Sequence, residues 1–313
     1  MNWLGPVSAA MLGIVSLPLA NQITGDEGRQ PVDLLKLKTE RFQRMTVPVT
    51  IDQQGPFNFM IDTGAQATLV SSQLADQLGL SNRTPATLVA MASKRPIETT
   101  SIPNLRLGSR SFDIQTAPII DRANIGSADG VLGLDSLQGQ RVLLDFDKNR
   151  IAVADADELG GNRGYDIVVK ARRKLGQLII TGARFENVRV AVIIDTGAQG
   201  SVGNEALRRR LRGQKVGPAL MTDINGVQVD GHVRLARSIQ VGGVSLNNIP
   251  ITFVDSPTFA ALGLDREPAL VLGMEELRLF RRVAIDFGAR KVLFDTRTAF
   301  TKSDAIIGAD IGL

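Results

Sequence analysis

The sequence places the same five residues at two points: Asp62-Thr63-Gly64-Ala65-Gln66 and, 133 residues later (195 − 62), Asp195-Thr196-Gly197-Ala198-Gln199. Each copy closes an apolar run, in FNFMIDTGAQATLVS and in VRVAVIIDTGAQGSVG. A carboxylate at a strand tip, followed by a small turn residue and glycine, is held at a sharp bend that another main chain can approach. Two such carboxylates facing each other cannot both ionise comfortably, so they share a proton. One then acts as general base on a bound water while the other, protonated, donates to a substrate carbonyl. A single Asp-Thr-Gly is an ordinary turn. Two copies in matching contexts point instead to a duplicated unit, because solenoid repeats are shorter than this interval.

The elements that must carry these acids are short strands. A chain of 313 residues suits two domains of ordinary size, and 43% hydrophobic content is ample for packed cores. The 31 glycines and 13 prolines fall between β-like runs, which favours an all-β, turn-rich architecture. There is no cysteine, so disulfides and thiolate metal sites are excluded. His232 is the only histidine, which argues against His-rich metal sites and leaves one candidate base for Ser-His chemistry. The net charge is only +4, and the most basic stretch, Glu205 to Lys215, reads as a solvated helix face. It lacks the interleaved aromatics that nucleic-acid binding would use, so no nucleic-acid partner is expected.

Residues 1–25 carry no charged side chain, and the apolar run from Trp3 to Ala20 could enter or span a membrane. It reads as an export signal or signal anchor, although no Lys or Arg precedes it and Pro18-Leu19-Ala20 is a poor cleavage junction. The alternative is a buried N-terminal strand or helix. Residues 26–44 read as a polar tether. The first lobe spans 45–155 and opens with a hairpin turning at Gln53-Gln54-Gly55. After the first acid, SSQLADQLGL is a short helix stopped by Gly79. A Gly-rich linker at 156–164 precedes the second lobe, 165–300, which replays the same order with its helix at NEALRRRL. Lobe two carries about seven more residues after its acid, placed in SPTFAALGLDREP.

A second pair of signals follows each acid at a similar distance: Val131-Leu132-Gly133 and Val271-Leu272-Gly273. Alone this pattern is core strand. In these positions the glycine would let the strand pass beside the acid-bearing loop with no side chain between them.

The two IDTGA strings, the helix ending LADQLGL, and the two VLG stretches continuing as LDSL and MEEL resemble the retropepsin-like aspartic proteases, duplicated and fused as in exported bacterial proteins. The resemblance covers roughly residues 45–155 and 165–297. It implies two tandem β-barrel lobes related by a pseudo-two-fold, each with one short helix, and an endopeptidase with Asp62 and Asp195 as its catalytic acids. Thr63 and Thr196 would clasp the opposing loop, and Gly64 and Gly197 would donate N–H to the dyad, with Ala65 and Ala198 completing the support. Flaps would close over an extended polypeptide substrate paired like an added strand in the inter-lobe cleft. The flap contacts are placed at Met91 and Ala92 in lobe one and at Asn225 and Gly226 in lobe two. The lobe-one stretch MASKR has no glycine, so that flap is expected to be degenerate.

Ala65 and Ala198 stand where pepsin-like relatives usually carry a hydroxyl residue, and the only tyrosine, Tyr165, lies at the linker and not on a flap. Both departures point to the retroviral branch. Without a hydroxyl donor the ionised acid is less favoured, so a pH optimum less acidic than that of pepsin-like enzymes is expected. The reaction calls for no cofactor and no metal. Two lobes in one chain make an intramolecular dyad and a monomer the simpler assembly, with the product exported, either periplasmic or membrane-anchored facing the periplasm. Two other readings stand beside this one: a non-catalytic peptide binder on the same fold, and Asp residues serving as metal ligands, for which two carboxylates are too few.

Overall fold

Phe57 and Phe59 alternate with Asn58 along an apolar run that a turn joins to Thr46–Ile51, and this pattern folds as an antiparallel hairpin. The computed structural model describes residues 7–9, 13–16, 46–108, 110–126, 128–211, 215–297 and 306–308. The hairpin turns at Asp52-Gln53, slightly earlier than the sequence suggested. Both residues have positive φ, 47° and 66°, so Gln54 already pairs with Ile51 and belongs to the second strand.

Strands β1 (Val7–Ala9) and β2 (Gly13–Ser16) come first. Lobe one continues with β3 (Thr46–Ile51), β4 (Gln54–Ile61), β5 (Leu69–Ser71), β6 (Thr84–Val89), β7 (Lys94–Leu107), β8 (Arg110–Ile120) and β9 (Gly130–Leu132). After β10 (Arg141–Asp145) and β11 (Arg150–Ala154), lobe two begins with β12 (Ile167–Lys170), β13 (Arg172–Lys174), β14 (Gln177–Phe185), β15 (Val188–Ile194) and β16 (Ser201–Gly203). It continues through β17 (Lys215–Asp223), β18 (Gln228–Val241), β19 (Val244–Phe253) and β20 (Ala269–Leu272). Last come β21 (Arg282–Asp286), β22 (Lys291–Asp295) and β23 (Ile306–Gly308).

Each lobe closes a six-stranded barrel. The order β7-β3-β4-β9-β5-β8 is sealed by β7 pairing with β8, and β18-β14-β15-β20-β16-β19 is sealed by β18 pairing with β19. Strand for strand the two rings correspond. In each, a strand ending at the VLG glycine slides between the acid-bearing strand and the next one, parallel to the first and antiparallel to the second. A third sheet, β11-β10-β21-β22-β12, is shared between the lobes, with β10 and β21 antiparallel at the pseudo-two-fold. One apolar cluster runs through both barrels and under this sheet, from Val49 and Phe59 to Ile285 and Phe294. The fold is therefore the expected all-β pair of barrels.

It differs in its helices. Besides α1 (Ser72–Gln77), capped by Ser71 and stopped at Gly79, lobe one has a single-turn α2 (Leu134–Leu137). Lobe two has α3 (Glu205–Arg210), α4 (Pro257–Ala261) and a single-turn α5 (Met274–Leu277). The extra turns at α2 and α5 follow directly on Gly133 and Gly273, each of which stands at the N-cap in extended conformation. Helix α4 lies in the stretch expected to hold the insertion. The basic segment forms α3, where Glu205 binds Arg208 and Arg209 and Leu207 is buried, so it is a charged outer face.

Residues 156–164 form turns pinned by Arg141, which is buried against Asp286 at 2.7 Å and also donates to Gly161 O and Asn162 Oδ1. The tether 26–44 lies outside the described residues, as does most of the Trp3–Ala20 run. Of that run, β1 pairs parallel with β6 and β2 antiparallel with β17. Among the described residues no helix is long and apolar enough to cross a membrane.

Candidate active site

The acids leave the ends of β4 and β15 because each strand's next backbone N–H is taken by the neighbouring VLG strand: Asp62 N donates to Leu132 O at 3.0 Å and Asp195 N to Leu272 O at 3.1 Å. Each loop then folds back on its own acid. Asp62 Oδ1 accepts from Gly64 N at 2.8 Å and Ala65 N at 2.9 Å, and Asp195 Oδ1 accepts from Gly197 N at 2.8 Å and Ala198 N at 3.1 Å.

The two loops grip one another. The Thr63 hydroxyl donates to Ile194 O at 2.8 Å and accepts from Thr196 N at 3.2 Å. The Thr196 hydroxyl donates to Ile61 O at 2.7 Å and accepts from Thr63 N at 3.1 Å. Four hydrogen bonds thus cross the lobe boundary in two-fold-related pairs and press the glycine of each loop against the opposite acid. A methyl group on Gly64 would stand 2.5 Å from the Asp195 carboxyl carbon, and one on Gly197 would stand 2.4 Å from Asp62 Oδ2. Only glycine fits. The second motif behaves likewise: a methyl on Gly133 would meet the Ala67 carbonyl at 2.4 Å, and one on Gly273 the Gly200 carbonyl at 2.6 Å.

Both acids are fully buried. The Asp195 carboxyl is pushed well above the usual carboxylate range, first by burial and then by the charge of the neighbouring Asp62. A pair so placed can hold one proton between two acids. Behind the dyad, the hydroxyls that follow each motif bind the VLG strands: Thr68 Oγ1 accepts from Gly133 N and Ser201 Oγ from Gly273 N, both at 3.1 Å. Thr68 donates to Asp135, while Ser201 donates to the buried Glu276, whose carboxyl is raised to about 8, mainly by burial.

Of the four flap residues named from sequence, Ala92 and Asn225 bond to the opposite hairpin tip, Met91 packs in a cluster with Ala198, and Gly226 faces Asn124. Met91 and Ala92 lie in the turn between β6 and β7, and Asn225 and Gly226 in the turn between β17 and β18. The lobe-one hairpin is complete without a glycine, contrary to expectation, because Ala90 N donates to Ser93 O at 2.8 Å and closes the turn. Each tip seats an apolar side chain in the other lobe. Met91 is buried among Ile193, Ala198 and Phe259, and Ile224 among Met60, Ala65 and Ile125. Between the tips, Asp223 accepts from Ala92 N at 3.1 Å and Ser93 Oγ at 2.6 Å, and Arg95 donates to Asn225 O at 3.0 Å.

Sequence reasoning missed Asp223, whose one signal was the turn string Asp-Ile-Asn-Gly. It also missed Gln177, whose Nε2 donates to Gly64 O at 2.6 Å from the other lobe and which carries no motif at all. His232 pairs within the β17–β18 hairpin opposite Pro218 and, on its other side, with Phe253 of β19.

No curated protein matches the sequence. Among solved structures, basic 7S globulin from soybean is similar at 9% identity and a TM-score of 0.39, over 81% of this chain and 91% of that one. The family profile described as Aspartyl protease matches twice, over residues 47–136 and 181–275, each stretch containing one Asp-Thr-Gly and one VLG glycine. With more than half of its length matched in two tandem regions, the chain belongs to the retropepsin-like aspartyl protease family.

Proposed function

We propose that the protein is an aspartic endopeptidase in which Asp62 and Asp195 share one proton and activate a water molecule. The observation that carries this reading is the buried pair of neighbouring acids, the charge of Asp62 raising the carboxyl of Asp195, held by a reciprocal threonine grip. The ionised acid takes a proton from the water as its oxygen attacks the scissile carbonyl carbon. The protonated acid gives its proton to the carbonyl oxygen, forming a tetrahedral gem-diol. Collapse of that intermediate, with a proton passed to the amide nitrogen, breaks the C–N bond and restores the shared proton. No covalent enzyme intermediate, cofactor or metal enters this cycle.

The substrate is an extended polypeptide lying between the dyad and the two hairpin tips. Because both acids come from one chain, the active form is a monomer whose rate per molecule does not fall on dilution. The apolar N-terminal run makes it an exported protein, periplasmic or held at the membrane facing that compartment.

The test is cleavage of an unfolded protein by the purified chain. Wild type cuts, D62N and D195N do not, and chelators change nothing. Peptide binding without cleavage, unaffected by either substitution, would favour the non-catalytic reading of the same cleft.

A further inference from the structure

Resting on that reading of the dyad, we propose that Gln177 is a positioning residue that strengthens the hydrogen bonding of Asp62 and thereby helps to place the dyad's negative charge there. The side chain starts on β14 of lobe two and ends on the acid loop of lobe one. It is fully buried, and its Nε2 lies 2.6 Å from Gly64 O. The amide orientation is fixed by chemistry, since the flipped rotamer would set two acceptors against each other at that distance.

The carbonyl of Gly64 and the N–H of Ala65 belong to one peptide unit, and that N–H donates to Asp62 Oδ1 at 2.9 Å. A donor on the oxygen end polarises the unit and makes its nitrogen end a stronger donor, as successive hydrogen bonds in a buried chain reinforce one another. Gln177, the Gly64–Ala65 peptide and Asp62 are such a chain. The other end of the amide counts against a purely structural role. Gln177 Oε1 is buried with no partner among the described residues, a cost that methionine at this position would not carry.

The test is Gln177→Met, which keeps length and apolar volume and removes the donor. Carboxyl-carbon NMR of aspartate-labelled protein is titrated without substrate, beside pH profiles of kcat/KM and KM. The lower titration step of the wild-type pair is expected to be reported by Asp62. In Q177M that step rises by about half a pH unit, the size of a 10–30% weakening of a charge-assisted hydrogen bond. The acid limb of kcat/KM follows it, while the melting temperature and KM stay near wild type. In the wild type, a scalar coupling across the hydrogen bond between Gln177 Nε2 and the Gly64 carbonyl carbon is expected, a measurement that does not require the variant to fold. An unmoved lower step in folded Q177M, or absence of that coupling, overturns the assignment. The titration needs no cleavage, so an inactive wild type would sink the protease reading while the role of Gln177 is still decided.

Discussion

Ser93, at the tip of the β6–β7 hairpin, donates its hydroxyl to Asp223, at the end of β17 in the other lobe, Oγ to Oδ2 2.6 Å apart. The same carboxylate oxygen accepts from Ala92 N, while Asp223 Oδ1 accepts from Asn225 N and Val227 N and shapes its own turn. One buried acid therefore organises one tip and fastens it to the other. Met91 and Ile224 are buried in the opposite lobes, so separating the tips breaks the latch and takes both side chains out of their seats.

Ser93→Ala removes the bond its hydroxyl accepts from Asn225 Nδ2 at 2.9 Å together with the charge-assisted bond it donates to Asp223, and leaves the turn of Asp223 intact. The charge-assisted bond is worth about 1.5–3 kcal/mol, so opening becomes roughly tenfold or more easier. Amide exchange at Ala90 and Ala92 is expected to quicken by that factor, with the barrel strands unchanged. Exchange at those two amides identical to wild type would show that the Ser93 hydroxyl is not what holds the tips together.

The threonine grip makes a second, sharper case. Thr63→Val keeps the shape and removes a hydroxyl that satisfies Ile194 O and Thr196 N at once. Two lost bonds with two buried groups left unsatisfied cost about 2–4 kcal/mol, or a melting temperature lower by roughly 3–6 °C for a chain of this size. Thr63→Ser should recover most of the loss. A Thr63→Val protein melting with wild type would mean that the Thr63 hydroxyl does not help to join the lobes.

The acids, their threonines and the VLG glycines were legible because the duplication prints each twice, in strands of matching register. The apolar alternation in β4 and β15 likewise placed both barrels. What the sequence could not convey were contacts between unlike positions. Gln177 reaches Gly64 only once β14 is set against the opposite acid loop, and Ser93 meets Asp223 only once two turns face each other. Local energetics misled in two places: positive φ at Asp52 and Gln53 shifted by one residue a turn expected at Gln53-Gln54-Gly55, and a backbone hydrogen bond closed the Met91 turn without glycine.

Glu276 sets a pH dependence of stability. Its carboxyl is nearly fully buried against Ser201 and raised from 4.5 to about 8, chiefly by burial. The folded state holds this proton more tightly than the unfolded chain. Its contribution is thus full below about pH 4.5 and is lost as pH rises to about 8, with a slope of up to roughly 1.4 kcal/mol per pH unit. Denaturant titrations across that window should show stability falling with pH in the wild type and a flatter dependence in Glu276→Gln, whose amide can still accept from Ser201. Asp195 is raised in the same direction, so the slope should shrink and not vanish. Equal slopes in the two proteins would remove Glu276 from this account.

The dyad itself fixes the last expectation, the pH range of activity. Burial and the neighbouring charge of Asp62 hold the Asp195 proton well above the usual carboxylate range, so the pair keeps one proton over a wide interval and titrates in two macroscopic steps. The rate should rise as the first proton leaves and fall only when the second does. Ala65 and Ala198, both buried, place no hydroxyl beside the ionised acid, so the first step is not drawn down by that donor as it would be with serine or threonine there. Cleavage of an unfolded protein should therefore persist above about pH 5, beyond the upper step of about 4.7 known for a pepsin dyad. Ala65→Ser, by adding a donor next to Asp62, should move the acid limb downward. A wild-type profile peaking near pH 2, or an acid limb indifferent to Ala65→Ser, would mean that the charge on this pair is governed by something other than burial and the groups bonded to it.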